Sequence, residues 1–167
     1  MKRKFHAQFL GGCGRVNRPH LPGTSSAYLV SMNPNVICGG CLCGAVRYEA
    51  AGQPYNITHC HCLDCRRSSG APFVTWASFR RSGFRFTNGE PRVLCWAGRL
   101  RSSCPQCGTP LTFLTEADAD EVDVTVCSFD EPAGVTPSDH TWVEDRLPWI
   151  RLADQLPTYE QRRQTSV

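Results

Sequence analysis

Three cysteines within six residues constrain this chain more than any other feature of its sequence. They lie in the segment HCHCLDCR, residues 59–66, and ordinary core packing does not explain them. If the segment is extended, side chains alternate between faces, so Cys60 and Cys62 point one way and the neighbouring histidines the other. A turn would return Cys65 to the cysteine face. Three converging thiolates suit Zn²⁺, with Zn–S bonds of about 2.3 Å.

Two further cysteine pairs have the spacing of metal ligands. Cys41 and Cys43 stand one residue apart among glycines, and Cys104 and Cys107 form a Cys-Pro-Gln-Cys-Gly knuckle in which Pro favours a turn. The chain has 11 cysteines and no convincing export signal. In a reducing compartment this spacing favours metal ligands over disulfides.

The seven clustered cysteines divide naturally into four and three. Cys41 and Cys43 with Cys104 and Cys107 give a closed Cys₄ site, which is typical of structural zinc, and the remaining three cysteines leave a position for water or substrate. An alternative stays open, in which a further side chain completes a second structural site. The candidates for that ligand are His59, His61, Asp64 and Cys95.

Composition predicts one globular domain. The chain has 167 residues, 41% hydrophobic and 20% charged, and no apolar run of about eighteen residues that would suggest a transmembrane helix. The basic start at residues 1–4 precedes an apolar stretch too broken for a signal peptide, so a cytoplasmic location is expected. Residues 1–31 hold five basic residues and no acid, which leaves 13 basic and 15 acidic residues in 32–167 and does not favour a nucleic-acid binder.

The organisation along the chain predicts three parts. Residues 1–31 are rich in Gly, Pro and Ser without a hydrophobic period and are expected to form a flexible extension, in which Cys13 is a free thiol. Residues 32–160 form the zinc-binding domain, and residues 161–167 form a C-terminal tail. The oligomeric state is not set by the sequence.

Short alternating segments predict a mainly β fold with little helix. β-branched and aromatic residues recur between turn signals, and only residues 66–70 suggest a helical turn, stopped by Gly70. The acidic segment 116–121 is expected to be a solvated connection. The predicted strands cover residues 46–49, 71–79, 84–86, 93–96, 100–103, 111–114 and 122–126.

Four motifs together resemble the glutathione-dependent formaldehyde-activating enzyme family, which includes centromere protein V. They are Gly-x-Cys-x-Cys-Gly-x-Val-Arg at 39–47, Cys-His-Cys-x-x-Cys-Arg at 60–66, Cys-x-x-Cys-Gly-Thr-Pro-Leu at 104–111, and a tail from Ser128 through His140 to Trp149. Their order and spacing are specific, although each alone would not be. The resemblance covers about Cys38 to Pro157 and leaves residues 1–31 outside.

The resemblance implies a small, β-rich Mss4-like fold with two zinc ions per chain. By motif position, Cys41, Cys43, Cys104 and Cys107 hold a structural zinc, and Cys60, Cys62 and Cys65 hold a catalytic one. The family's named reaction joins formaldehyde to glutathione as S-hydroxymethylglutathione and is classed with carbon–sulfur lyases. The implied partners are therefore a glutathione-like thiol and a small aldehyde. The alternative is a non-catalytic binding module with two structural zinc sites.

Other side chains are candidates for substrate contact or proton transfer. Zinc held by three thiolates suits binding of a further thiol better than Lewis-acid activation of a carbonyl. The carboxylates of glutathione need cationic anchors, and Arg66 is the chosen residue, followed by Arg67, Arg99 and Arg101. His59, His61 and, more remotely, His140 are candidate proton carriers, although strand alternation aims the first two away from the metal. Trp76 and Trp96 are expected in the core or in a pocket wall, and Cys38, Cys95 and Cys127 as small buried groups.

Overall fold

The computed structural model describes residues 35–163, which form ten β-strands, one α-helix and four short 3₁₀ turns. Cys13 and the N-terminal extension lie outside the described residues, and the domain boundaries stay predictions. None of the helices in the described range is long and apolar enough to cross a membrane. The elements are β1 (Val36–Gly40), β2 (Arg47–Ala51), β3 (Tyr55–Cys60), α1 (Leu63–Ser69), β4 (Val74–Arg80), β5 (Phe84–Asn88), β6 (Arg92–Trp96), β7 (Arg99–Ser103), β8 (Pro110–Thr115), β9 (Asp118–Thr125) and β10 (Asp139–Thr141).

The strands form two sheets, which confirms the predicted mainly β class. The small sheet has the order β1-β2-β5 and the large one the order β10-β3-β4-β9-β8-β7-β6. All pairs are antiparallel except β10 with β3. That parallel pair joins the C-terminal part of the chain to the strand that ends at Cys60.

The core lies between the two sheets. Alternate residues of β4 and β9, such as Phe79 and Val122, meet Tyr48 and Phe84 of the small sheet in one buried cluster. Phe79 is only 1% exposed, and burial of such a side chain stabilises the fold by about 1.5–3 kcal/mol. Period-2 alternation therefore assigns one face of β4 and β9 to the core and frees the other face for a site.

The edge of the large sheet corrects two predictions. Strand β6 is exposed along its whole length, so Cys95 and Trp96, which is 69% exposed, are not buried, and the expectation of core or pocket positions for them is wrong. The Arg99 guanidinium instead lies over the Trp96 ring, with 5.7 Å between Arg99 Cζ and the ring centroid. Hydrophobic residue type indicated burial, but within residues 35–163 β6 is an edge strand, with no neighbouring strand on one side, and all five of its residues are exposed.

Cys38 and Cys127 are likewise exposed, contrary to the prediction that they are buried. Cys38 lies in edge strand β1 and Cys127 in a 3₁₀ turn that follows β9. The segment 116–121 is also different from the expectation, because only residues 116–117 form the turn and β9 begins at Asp118. Helix α1 begins at Leu63, three residues before the predicted helical turn, and ends at Ser69, where Gly70 caps it as expected.

Candidate metal centres and their cavity

The four-cysteine cluster is formed by two loops. Cys41 and Cys43 lie between β1 and β2, and Cys104 and Cys107 lie between β7 and β8. Their four Sγ atoms all lie within 4.8 Å of one another, with 3.5 Å from Cys41 to Cys43 and 3.7 Å from Cys43 to Cys104. Tetrahedral Zn–S bonds of about 2.3 Å set sulfurs about 3.8 Å apart. The four side chains therefore fit a zinc ion.

Backbone donors surround these sulfurs. The Val46 amide donates to Cys41 Sγ at 3.2 Å and the Cys107 amide to Cys104 Sγ at 3.5 Å. Such bonds stabilise thiolate charge. The glycine after each pair, Gly44 and Gly108, has a φ of 78° and 75°, a left-handed conformation that glycine adopts without steric cost. Each cysteine pair is therefore followed by a tight turn at a glycine with positive φ.

The three-cysteine cluster lies where β3 passes into α1. Cys60 ends the strand, Cys62 caps the helix and its Sγ accepts the Cys65 amide at 3.3 Å, and Cys65 lies in the first turn. Their ligand atoms lie within 4.8 Å of one another, and no fourth Cys, His, Asp or Glu joins this group among residues 35–163. His59, His61, Asp64 and Cys95, the alternatives left open by the sequence, do not complete it. The set fits a zinc ion with a position left for an exogenous ligand.

Proton competition within the three-cysteine cluster supports a cation site. The Cys60 thiol donates towards Cys62, which lowers the pKa of Cys62 and raises the pKa of Cys60. Three thiolates this close repel one another unless a cation neutralises them. Outside the trio, Trp76 Nε1 donates to Cys65 Sγ at 3.3 Å, and the Arg101 guanidinium lies 3.9 Å from the same sulfur.

These three sulfurs line a cavity of about 720 Å³. The cavity covers the face of the large sheet that turns away from the core, and residues of six of its strands line it. Arg101 lies over the ring of Phe113, with 4.5 Å to its centroid. The lining includes Thr58, Trp76, Ser78, Arg99, Arg101, Phe113, Glu121, Asp123, Thr141, Trp142, Arg162 and Arg163.

Asp123 is a cavity residue that sequence reasoning missed. Its Oδ1 accepts the Ser78 hydroxyl at 2.6 Å. Burial raises the pKa of Asp123 to about 6, while the Ser78 hydrogen bond lowers it, Glu121 and Asp118 raise it and Arg101 lowers it. A carboxyl group that titrates near neutrality in a cavity is a candidate proton carrier. Strand alternation places Asp123 on the face of β9 opposite to that of the core residues Val122 and Val124. This alternation was the sequence signal that could have identified Asp123 as a residue outside the core.

The histidines lie on the other side of β3, as alternation predicts. His59 Nδ1 bonds Thr75 Oγ1 at 2.8 Å, and His61 Nε2 bonds His140 Nδ1 at 2.9 Å. None of the three histidines lines the cysteine cavity. Burial, together with the neighbouring His140 and His59, lowers the pKa of His61 to about 4. The structure therefore does not bring them to the sulfurs.

Of the four arginines predicted as candidate anchors, two line the cavity and two do not. Arg66 Nε donates to the His61 carbonyl at 3.1 Å, and neither Arg66 nor Arg67 lines the cavity. Arg99 lines it but pairs with Asp64 at 3.3 Å. Arg101 has no ion pair within residues 35–163 and faces both the sulfurs and the open volume. The role of Arg66 as a substrate anchor stays a prediction, and the cavity geometry favours Arg101.

Comparison with known proteins gives a consistent result. The family model for glutathione-dependent formaldehyde-activating enzyme matches residues 36–145, a range that contains both cysteine clusters. The uncharacterized lyase C29B12.13 of Schizosaccharomyces pombe is 27% identical over 75 residues. The alignment covers 45% of this chain and 55% of the S. pombe protein, so the chain spans about half the length of that relative.

A solved structure is also similar. The crystal structure of a Rhodobacter sphaeroides protein, a structural genomics target, has a TM-score of 0.49 and 26% sequence identity. It covers 60% of this chain and 91% of its own length.

Proposed function

Because the chain belongs to the glutathione-dependent formaldehyde-activating enzyme family, we propose that it is a zinc-dependent carbon–sulfur lyase. It acts on a glutathione-like thiol and a small aldehyde, or on their S-hydroxymethyl adduct. The observation that carries this proposal is the three-cysteine cluster, which has no fourth protein ligand among the described residues and lines a cavity of about 720 Å³. The name of the S. pombe relative as a lyase agrees with this reaction class.

Cys60, Cys62 and Cys65 would hold the second zinc ion. When bound, the ion supplies a site at which an incoming thiol is held as its thiolate. The neighbouring side chains orient this centre, since Trp76 Nε1 donates to Cys65 Sγ and Arg101 lies 3.9 Å from it. The indole and guanidinium limit the approach to the cluster from that side.

The reaction conserves atoms and needs no oxidant. In the joining direction the substrate sulfur attacks the aldehyde carbon, a C–S bond forms, the C=O π bond breaks, and the oxygen takes up a proton. In cleavage the hydroxyl proton leaves, the C=O bond reforms and the C–S bond breaks. We assign the proton acceptor in cleavage to the Asp123 carboxylate, which is ionised above pH 6 and lines the same cavity.

The charges of the cavity suit a peptide-like thiol. A glutathione-like molecule carries two carboxylates and one ammonium group, and the lining offers both signs of charge. Arg101 and Arg162 form no ion pair within the described range, whereas Arg163 pairs with Asp139. Arg101 is therefore the proposed carboxylate anchor nearest to the sulfurs, and Glu121 offers a partner for the ammonium group.

The test is a measurement of exchange between glutathione and its formaldehyde adduct. Reduced, zinc-loaded protein is mixed with glutathione and ¹³C-formaldehyde, and exchange NMR gives the rate of interconversion above the spontaneous rate. We expect acceleration by the protein and none by Cys62→Ala, with Cys127→Ala as a matched control that keeps full activity because its thiol is exposed and outside both clusters. Acceleration that survives in Cys62→Ala would contradict the proposal.

The alternative, a binding module with two structural zinc sites, makes a different prediction. In cobalt-substituted protein, a thiol that binds the three-cysteine site changes the sulfur-to-cobalt absorption. If neither glutathione nor a small thiol changes the spectrum, the site is closed and the binding module is the better description.

A further inference from the structure

A second kind of polar cluster lies on the opposite side of β3 from the cysteine cavity. His59 of β3, His140 of β10 and Asp154 each place one ligand atom so that all three lie within 4.8 Å of one another. His140 Nε2 lies 2.9 Å from Asp154 Oδ2. The parallel pairing of β10 with β3 sets His140 opposite His59, so the sheet register brings the two rings together.

Each imidazole of this cluster is oriented through its other nitrogen. His59 Nδ1 bonds Thr75 Oγ1 at 2.8 Å, and His140 Nδ1 bonds His61 Nε2 at 2.9 Å. Histidines that ligate metals almost always donate their second ring N–H to a partner, which fixes the tautomer and the ring plane. The structure thus provides two rings with Nδ1 already bonded and Nε2 left for an ion or for Asp154.

We propose that His59, His140 and Asp154 form a third metal site, for a divalent transition ion that prefers imidazole and carboxylate ligands. Its donor set, two nitrogens and one oxygen, differs from the all-sulfur sets of the cysteine clusters and suits Zn²⁺, Co²⁺ or Ni²⁺. Metal–nitrogen bonds of about 2.0–2.1 Å set tetrahedral donors about 3.4 Å apart. The donor atoms start between 2.9 and 4.8 Å apart, so short side-chain movements bring them to this spacing.

The surroundings allow the Asp154 side chain to move and hold the His140 ring in place. The side chain of Asp154 is 42% exposed and follows a segment without regular structure, whereas His140 is 1% exposed. The buried ring would stay in place and the carboxylate would move. Three protein donors leave a further position for water, which the exposure of Asp154 allows.

Metal binding at this cluster has a signature that a merely structural His–Asp bond lacks. Without an ion, His140 Nε2–H donates to Asp154, so His140 Nδ1 accepts from His61 Nε2–H. With an ion on His140 Nε2, the proton lies on His140 Nδ1 and is donated to His61 Nε2. Both tautomers therefore reverse. The reversal moves the proton of His61 to Nδ1, which is buried and has no hydrogen-bond partner among the described residues, so the metal bonds must offset the cost of this unpaired N–H.

The experiment adds Co²⁺ alone to untagged, reduced, full-length protein whose cysteine sites are loaded with zinc. Dialysis followed by elemental analysis gives the bound cobalt and the retained zinc. We expect one additional cobalt per chain, a weak visible spectrum without sulfur-to-cobalt bands, and unchanged zinc. His59→Gln and Asp154→Asn should each weaken cobalt binding at least tenfold, and Thr75→Val should weaken it about tenfold through the lost hydrogen bond.

Matched controls separate this site from other donors. Asp120→Asn replaces an exposed carboxylate of β9, outside the cluster, and should leave cobalt binding unchanged. For NMR, diamagnetic Zn²⁺ replaces Co²⁺ and is added to the unmodified protein as a third equivalent per chain. The ¹⁵N signals of the imidazoles should then show the tautomer reversal at His140 and His61. This measurement does not depend on whether a variant folds.

Several results would overturn the proposal. No third equivalent, cobalt that enters only by displacing zinc from sulfur, or a third equivalent that both variants retain would each assign the His59–His140–Asp154 cluster to structure alone. Unchanged His140 and His61 tautomers on addition of the third equivalent of Zn²⁺ would do the same. None of these measurements uses turnover, so the outcome is independent of the proposed lyase activity.

Discussion

The two cysteine clusters both present thiol sulfurs, but they differ in how far apart their cysteines lie in the sequence and in where they lie in the fold. The four-cysteine cluster joins two loops that are 61 residues apart in sequence, and backbone amides bond its sulfurs. The three-cysteine cluster lies within six residues at a strand–helix junction and lines a cavity. A metal that connects distant loops stabilises the fold, whereas a metal bound by one local segment beside a cavity is placed for chemistry.

The largest expected difference between the clusters is in stability. Structural zinc in small domains contributes about 10–16 kcal/mol of apparent binding free energy, as much as the whole stability of a typical domain, about 5–15 kcal/mol. We therefore expect Cys104→Ala to lose cooperative unfolding at 25 °C, and Cys62→Ala to keep it while losing activity and one zinc per chain. Thermal unfolding followed by circular dichroism, with zinc counted per chain, measures both.

Cys38→Ala is the matched control for the loss of a thiol, since Cys38 is exposed and belongs to neither cluster. It should keep both zinc ions and the wild-type melting temperature. Equal collapse of Cys104→Ala and Cys62→Ala would make both sites structural and would break the comparison.

Much of this comparison could be predicted from the sequence, because metal ligands lie close together in short motifs. The spacing of Cys60, Cys62 and Cys65 requires a strand end and a turn, and the structure has both. The glycines after Cys43 and Cys107 likewise indicate tight turns, and both have positive φ. Local geometry is encoded locally, so the pattern was sufficient.

Properties that depend on the order of strands in the sheet could not be predicted in the same way. Cys95 and Trp96 have residue types typical of a core, but β6 is an edge strand and exposes them. Asp123 falls in a predicted strand, but only the pairing of β9 with β4 places it beside Ser78. Arg66, which was predicted as a substrate anchor because it follows the cysteines in sequence, does not line the cavity. Long-range strand pairing decides all three cases.

The second largest expected effect is a loss of activity when Asp123, in the cavity beside the three-cysteine cluster, is replaced. Asp123→Asn removes the carboxylate that we assign as proton acceptor, and loss of such a group costs about 10²-fold or more in kcat. In the wild type, Asp123 loses its proton near pH 6, so the cleavage rate should rise as pH rises through 6 and then level off. The rise should be absent in Asp123→Asn. Rates from pH 5 to 8 test this, and an unchanged profile would contradict the assignment.

The same group links pH to stability with a definite sign. The folded-state pKa of Asp123 is raised from 3.8 to about 6, so between these values the folded protein binds more protons than the unfolded chain. Its contribution to stability is full below pH 4 and is lost as pH rises through 6. Asp123→Asn should therefore be more stable than the wild type above pH 6, and this gain with loss of activity distinguishes a functional carboxylate from a structural one.

The smallest expected effect separates the two arginines that could anchor substrate. Arg101→Gln removes the cavity guanidinium but keeps a polar stem over Phe113, and the loss of one charge-assisted hydrogen bond of about 1.5–3 kcal/mol should raise KM for glutathione at least tenfold with little change in kcat. Arg66→Gln should change KM less, because Arg66 bonds the His61 carbonyl outside the cavity. Arg92→Gln, on exposed β6, is the control and should match the wild type. Steady-state kinetics at varied glutathione measure all three. If Arg66→Gln raises KM more than Arg101→Gln does, the substrate lies along helix α1 and the sequence-based choice of Arg66 is the better one.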